Sequence, residues 1–232
     1  MQAKKNIAVG KNKLARFKEN EENPLVVQAG KPFFENCKGK WRSDFFKNDN
    51  PICLELACGR GEYSVGLGRL FPDRNYIGID IKGARLWKGA SIARQEGLKN
   101  VGFLRTFIHD LDKFFAPDEV DEIWLIHPDP RPRKRDIRRR LTNPRFLDIY
   151  RRIMKIDGWV KLKTDSALLY EYTLEVLSEY PVRDLEHTDD LYNSPLYAEH
   201  YGIRTRYEEE FTAQGHKIHY IKFRFAEKSP AE

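Results

Sequence analysis

Ile52-Cys-Leu-Glu-Leu-Ala-Cys-Gly-Arg-Gly61 is the stretch whose reading decides the fold. Its first five residues form an apolar run of strand length, and Gly59 and Gly61 then open the amphipathic stretch 62–71. A strand passing through a glycine turn into a helix lets the backbone approach a ligand and leaves helix amides free to face it. Short Gly-x-Gly turns are also common punctuation, so the surroundings must decide. Ser64 stands where a dinucleotide fingerprint has its third glycine, which counts against a nicotinamide or flavin site.

Downstream, apolar runs alternate with amphipathic stretches. Tyr76-Ile-Gly-Ile79 is a second strand, residues 84–96 form a helix (Leu86, Trp87, Ala90, Ala93), and Val101-Gly-Phe-Leu104 is a third strand. Val120-Asp-Glu-Ile-Trp-Leu-Ile126 is a fourth. Asn143-Pro144 supplies a helix N-cap and a proline at the first helical position, and Phe146, Leu147, Tyr150, Ile153 and Met154 mark the buried face that follows. Gly158–Lys163 is a fifth strand, 167–179 another helix, and Lys217–Phe225 a half-exposed strand, antiparallel and near the sheet edge. Such alternation predicts an α/β fold on a mainly parallel sheet, with no internal repeat and no second domain boundary. Asp80 closes the second strand, where a carboxylate can accept both hydroxyls of a ribose; read by itself it could also be a helix cap or turn residue.

Charge is concentrated. The chain of 232 residues carries 41 Lys+Arg against 35 Asp+Glu, a net +6. Residues 131–140 hold seven basic residues and one acid, and Lys4, Lys5, Lys11, Lys13, Arg16 and Lys18 add another +6 with no acid among residues 1–18. The remaining body is therefore −6. Two basic patches on an acidic body point to a phosphate-bearing partner, although an isolated basic run can also be a solvated loop. The expected organisation is a flexible basic segment, 1–18, followed by one domain, 19–232.

No stretch reaches the length and hydropathy of a membrane span, and the start of the chain is Lys-rich rather than an apolar leader, so a cytoplasmic protein is expected. The three cysteines, Cys37, Cys53 and Cys58, show no Cys-x-x-Cys spacing and the histidines do not cluster, which argues against a disulfide framework and a metal site.

Glu55-Leu-Ala-Cys-Gly-Arg-Gly61, Tyr76-Ile-Gly-Ile-Asp80, Pro128-Asp-Pro130, Arg139-Arg-Leu-Thr142, Lys163-Thr-Asp165 and Thr205-Arg-Tyr-Glu208 occur in an order and spacing that resembles the bacterial tRNA (guanine-N7-)-methyltransferase family. The resemblance spans about residues 50–225. It implies a Rossmann-like class I methyltransferase fold with a mainly parallel seven-stranded sheet, an antiparallel edge strand and helices on both faces. It also implies S-adenosylmethionine as methyl donor and methylation of guanine N7 at position 46, in the variable loop of tRNA, by a monomer or homodimer.

The resemblance further implies that Glu55, Gly59, Gly61 and Asp80 contact the donor, with Glu55 at its methionine end and Asp80 on its ribose. Asp110, with His109 as competitor, would contact the adenine side. Asp129 corresponds to the catalytic acid and adjoins the donor; Arg133, Asp165, Thr205, Arg206, Tyr207 and Glu208 correspond to substrate contacts. Arg135, Arg138, Arg139 and Arg140 are expected on RNA phosphates, although Arg139 and Arg140 could instead tie the segment to acids of the body. Two positions depart from the pattern: His127 stands for an aromatic and Arg131 for a tryptophan that could stack on the base, a role a guanidinium can also fill. His127 could be an acid or base or a structural substitute for the aromatic.

Guanine N7 carries a lone pair and no proton, so methyl transfer to it requires alignment rather than a strong base. A non-catalytic or altered-specificity RNA-binding descendant remains open on the two departures. An oxidoreductase would share the first strands but leave Pro128-Asp-Pro130 and the arginines unexplained.

Overall fold

The computed structural model describes residues 2–227, with side chains from residue 12 onward. Lys4, Lys5 and Lys11 of the basic start therefore lie outside the described side chains. The elements are helices α1 (Gln2–Glu22), α2 (Glu62–Leu70), α3 (Gly83–Gln95), α4 (Leu111–Phe114), α5 (Pro144–Ile153), α6 (Ala167–Glu179) and α7 (Arg206–Ala213), and strands β1 (Val26–Val27), β2 (Ile52–Leu56), β3 (Asn75–Ile79), β4 (Val101–Leu104), β5 (Val120–Ile126), β6 (Met154–Thr164), β7 (Val182–Thr188) and β8 (His219–Phe225).

The strands form one sheet in the order β1-β4-β3-β2-β5-β6-β8-β7. All pairs from β1 to β6 are parallel, and β8 runs antiparallel to both β6 and β7. The chain builds outward from β2 through β3 and β4, then restarts on the other side with β5 and β6. The strand order thus reverses between β2 and β5, and ligands bind at such a switch point, outside the carboxyl ends of the strands.

Strand alternation builds two cores. Ile52, Leu54 and Leu56 of β2 pack on one face with Ile77, Ile79, Ile123 and Leu125. Cys53 packs on the other with Tyr63, Tyr76, Leu86, Phe103 and Trp124. Covering helices on both faces is what a parallel sheet with near-continuous apolar strands requires. α5 begins as the sequence indicates: Asn143 Oδ1 accepts the Arg145 backbone N–H at 3.3 Å, Pro144 follows, and Phe146, Leu147, Ile149, Tyr150 and Ile153 are buried.

Differences from the expectation lie at the margins. A two-residue strand, β1, adds to the seven expected, and Met154 begins β6 rather than ending α5. The antiparallel strand β8 does lie near the sheet edge, as expected, with β7 paired beyond it. β7 escapes a periodicity search because its sequence, Val-Arg-Asp-Leu-Glu-His-Thr, is mostly polar and its pairing is interrupted between Arg183 and Glu186. α1 runs unbroken across the expected boundary at residues 18–19. Its carboxyl end docks on α3: the buried Asn20 donates to Gly83 O at 2.8 Å, Asn23 donates to Ala90 O at 3.1 Å, and Arg16 lies 4.8 Å over the Trp87 ring.

Candidate active site

The carboxyl ends of β2, β3, β5 and β6 carry most of the residues singled out in the sequence. After β2, Ala57, Gly59 and Gly61 have positive φ, which folds the turn tightly before α2. Gly61 is required twice over: its φ is +67°, and a Cβ there would come within 2.5 Å of the Phe103 ring. Asp80 fastens the turn to the next strand, accepting the Gly59 N–H at 3.0 Å on one oxygen and the Lys82 N–H at 2.8 Å on the other.

Glu55 is buried beneath this turn and accepts the Ser64 N–H at 2.7 Å and the Ser64 hydroxyl at 2.6 Å. Ser64, the residue that broke the dinucleotide fingerprint, is thus a partner of the strand carboxylate. Burial pushes Glu55 up to about 7 against these hydrogen bonds.

Beyond β4, Asp110 pairs with Lys113 at 2.7 Å and lies 3.6 Å from His109. His109 stacks on Phe107, ring centroids 5.0 Å apart, and Phe107 is half exposed. The sequence reading passed over Phe107; it and Ile81, which follows Asp80, are exposed large apolar side chains beyond the ends of two adjacent strands.

After β5 the backbone turns sharply, with φ +43° at His127 and +48° at Arg131, the two positions that depart from the resemblance. Asp129 lies between them, 59% exposed at its side chain. It accepts the Arg131 N–H at 3.1 Å and meets the Arg131 Nε at 3.3 Å. Arg140 closes the turn from behind, donating to Pro130 O at 3.0 Å and Arg131 O at 3.2 Å while its guanidinium lies 4.3 Å over Tyr172.

Arg140, read from the sequence either as a phosphate contact or as a tie to the body, turns inward here. It is buried and already shared between two carbonyls and a ring, because the short helical segment 134–139 folds it inward. Arg133, Arg135, Arg138 and Arg139 remain exposed, Arg139 with Asp136 at 3.2 Å. Arg140→Ala should lower kcat/KM for RNA about tenfold or more by releasing the turn. Arg138→Ala should instead leave kcat intact and reduce the salt slope of RNA binding by about one. Filter binding at several salt concentrations together with steady-state kinetics separates the two.

A buried polar cluster ties the C-terminal segment to β6. Thr205 caps α7, its hydroxyl accepting the Glu208 N–H at 3.2 Å. The Glu208 side chain turns inward, fully buried, to meet Lys163 Nζ at 2.6 Å, His200 Nε2 at 2.7 Å and the Tyr192 hydroxyl at 2.9 Å. Lys163 also donates to the Tyr63 hydroxyl at 2.7 Å. Burial opposes the charge on Glu208, but its pairing with His127, His200 and Lys163 outweighs that and holds it well below the usual carboxylate range.

In this structure Glu208 is an internal anchor and Thr205 caps α7. Arg206, paired with Glu210 at 2.7 Å, and Tyr207 remain exposed on α7, with Tyr207 beside Phe211. Asp165 sits half-buried after β6. His200, Tyr192 and Tyr63 had no motif to disclose them. Among the described residues no group of His, Cys, Asp and Glu is arranged to hold a metal ion, and no helix is long and apolar enough to cross a membrane.

Comparison with known proteins adds three findings. A family model described as "Putative methyltransferase" matches residues 49–221. The chain is 51% identical over 219 residues to a tRNA (guanine-N(7)-)-methyltransferase of Cytophaga hutchinsonii, covering 94% of this chain and 99% of that one, and 48% identical to that of Bacteroides fragilis, covering 93% and 86%. Among solved structures the fold is similar to the 16S rRNA methyltransferase KamB (TM-score 0.59, 14% identity, 82% and 92% covered) and to the 30S ribosomal A1408 methyltransferase UncKam from an uncultured bacterium (TM-score 0.55, 12% identity, 79% and 91% covered).

Proposed function

The chain belongs to the tRNA (guanine-N(7)-)-methyltransferase family, and from that premise we propose that it methylates N7 of the guanine at position 46 of tRNA in the cytoplasm, with S-adenosylmethionine as donor. The geometric observation that carries the reading is an exposed carboxylate, Asp129, held in a rigid turn at the switch-point strand β5, beside the glycine turn of β2.

The chain's residues fit such a donor. The positive-φ turn at Ala57, Gly59 and Gly61 allows a close approach, the Asp80 carboxylate stands at the end of β3 for a diol, and Ile81 and Phe107 present the apolar surface a purine needs. Buried Glu55 would face the methionine end. Asp110, joined to Lys113, and His109, stacked on Phe107, would face the adenine end. When bound, S-adenosylmethionine supplies an electrophilic methyl group.

The residues then have separable tasks. Guanine N7 needs no deprotonation, so Asp129 accepts hydrogen bonds from the N1–H and amino group of the base and stabilises the positive charge that the purine acquires. Asp165, at the neighbouring strand end, assists, and Arg133, Arg206 and Tyr207 line the approach of the substrate. Arg135, Arg138 and Arg139 contact phosphates, and the basic residues of 1–18 add a sequence-blind electrostatic grip to the catalytic domain, 19–232.

Methyl transfer from labelled S-adenosylmethionine to unmodified tRNA, followed by mapping of the methylated base, tests the reading. Label should appear at N7 of guanine 46 and vanish from a transcript carrying adenine there. Label elsewhere, or none, would overturn it.

A further inference from the structure

His127 is the histidine that the family resemblance leaves unexplained, and its surroundings give it a task. Its backbone N–H donates to Lys163 O at 2.8 Å, which locks the start of the turn to β6. Its ring is almost wholly enclosed, with a side chain only 4% exposed. Nδ1 lies 3.0 Å from Asp165 Oδ1; on the other side, Glu208 Oε2 stands 3.6 Å from Nε2, which makes no hydrogen bond. The imidazole is thus placed between two carboxylates, one on the exposed rim and one in the anchor beneath.

A neutral imidazole carries one N–H and one lone pair. With the proton on Nδ1 it satisfies Asp165 and turns a lone pair toward Glu208; with the proton on Nε2 it does the reverse. Only the imidazolium faces both carboxylates with a donor. The other titratable groups around it are Lys163 on β6, which repels it and pairs with Glu208, and His216 beyond α7, on the side of Asp165. Burial works against a charged His127, yet pairing with Asp165 and Glu208 prevails and raises it above an ordinary histidine, while Asp165 is correspondingly held below an ordinary aspartate.

We propose that His127, as an imidazolium clamped between Asp165 and Glu208, is the positioning residue that holds the Asp165 carboxylate in the orientation that receives the guanine. The inference rests on the reading of Asp165 as a base contact. It goes beyond that reading by making base recognition depend on protonation of a residue that never touches the substrate. A folded-state value raised above that of an ordinary histidine means that the clamp is complete at pH below the ordinary histidine range and is lost as pH rises through the His127 value.

The test is the pH profile of kcat/KM for tRNA from about pH 6 to about pH 9, with His127→Gln, His127→Phe and Asp165→Asn beside the wild type. The wild type should lose activity along an alkaline limb. His127→Gln, which can donate to only one carboxylate, should be about tenfold lower near neutrality and lack that limb, with its affinity for S-adenosylmethionine unchanged. His127→Phe should keep the fold and show the same flat profile. Lys163, which burial pulls down to about 8, is intact in both variants, so an alkaline limb that survives in them belongs to Lys163 and overturns the proposal.

A readout independent of activity is the imidazole nitrogen resonance of His127. It should titrate above an ordinary histidine in the wild type and move toward one in Asp165→Asn. A His127 ring already neutral near pH 7 overturns the proposal even if the substituted chains do not fold. Asp165→Asn with full turnover sinks the reading of Asp165 itself, whereas a slow Asp165→Asn beside a pH-dependent His127→Gln sinks only the clamp.

Discussion

Asp129→Asn should lower kcat by about 10²–10³-fold, the range found when one preorganised electrostatic contact to a transition state is removed. The substitution is nearly isosteric, and the amide oxygen can still accept the Arg131 N–H that the carboxylate accepts at 3.1 Å. The turn should therefore keep its shape, held from behind by Arg140. What disappears is a negative charge beside a purine that becomes cationic as the methyl arrives. An amide also presents one acceptor where the carboxylate presents two, so the N1–H and amino group of guanine can no longer both be served. Affinity for the donor, followed by calorimetry, should stay within about twofold, because the loss falls on an interaction made during transfer. Turnover within about threefold of the wild type would remove Asp129 from this role.

Lys163→Met should be the most damaging substitution for stability. It removes the ammonium 2.6 Å from Glu208 and leaves that carboxylate fully buried, with two histidines and Tyr192 as remaining partners. Breaking one side of a buried pair costs about 3–5 kcal/mol, because the partner's charge stays desolvated. For a chain of this size that corresponds to a fall in Tm of roughly 6–20 °C. Glu208→Gln should cost less at neutral pH than the lysine substitution, since the stranded Lys163, already pulled down to about 8 by burial, can shed its proton, whereas a stranded Glu208 is held well below the usual carboxylate range. Because the folded state depresses the Glu208 value, the wild-type pair contributes stability above the ordinary carboxylate range and loses it as pH falls through the folded value. Thermal unfolding of the three chains across acid and neutral pH checks both statements; equal Tm values for wild type and Lys163→Met would contradict them.

The order in which site residues follow strands was legible from periodicity alone. Ile52–Leu56, Val101–Leu104 and Val120–Ile126 are observed with the limits their apolar runs suggested. The acids Asp80, Asp129 and Asp165 fall just past strand ends because a turn that leaves a parallel sheet must expose its next residues. What stayed hidden depends on where a side chain turns. Glu208 and Arg140 sit in strongly polar stretches that read as surface, and each is buried because distant partners, Lys163 and the Pro130 and Arg131 carbonyls, satisfy it. No local pattern encodes such pairing. Ser64 stayed half legible for the same reason: its place argued against a dinucleotide site, but its hydrogen bond to Glu55 had no local signal.

The two ends of the sheet carry a consequence for assembly. One outer strand, β1, offers only two residues, and the other, β7, is broken by an irregularity at Asp184, whose φ is +53°, and studded with Arg183, Asp184 and Glu186. Short, kinked and charged borders are poor templates for another strand. Both borders of the backbone ladder thus disfavour intermolecular extension, which guards the molecule against ordered aggregation along its own strands.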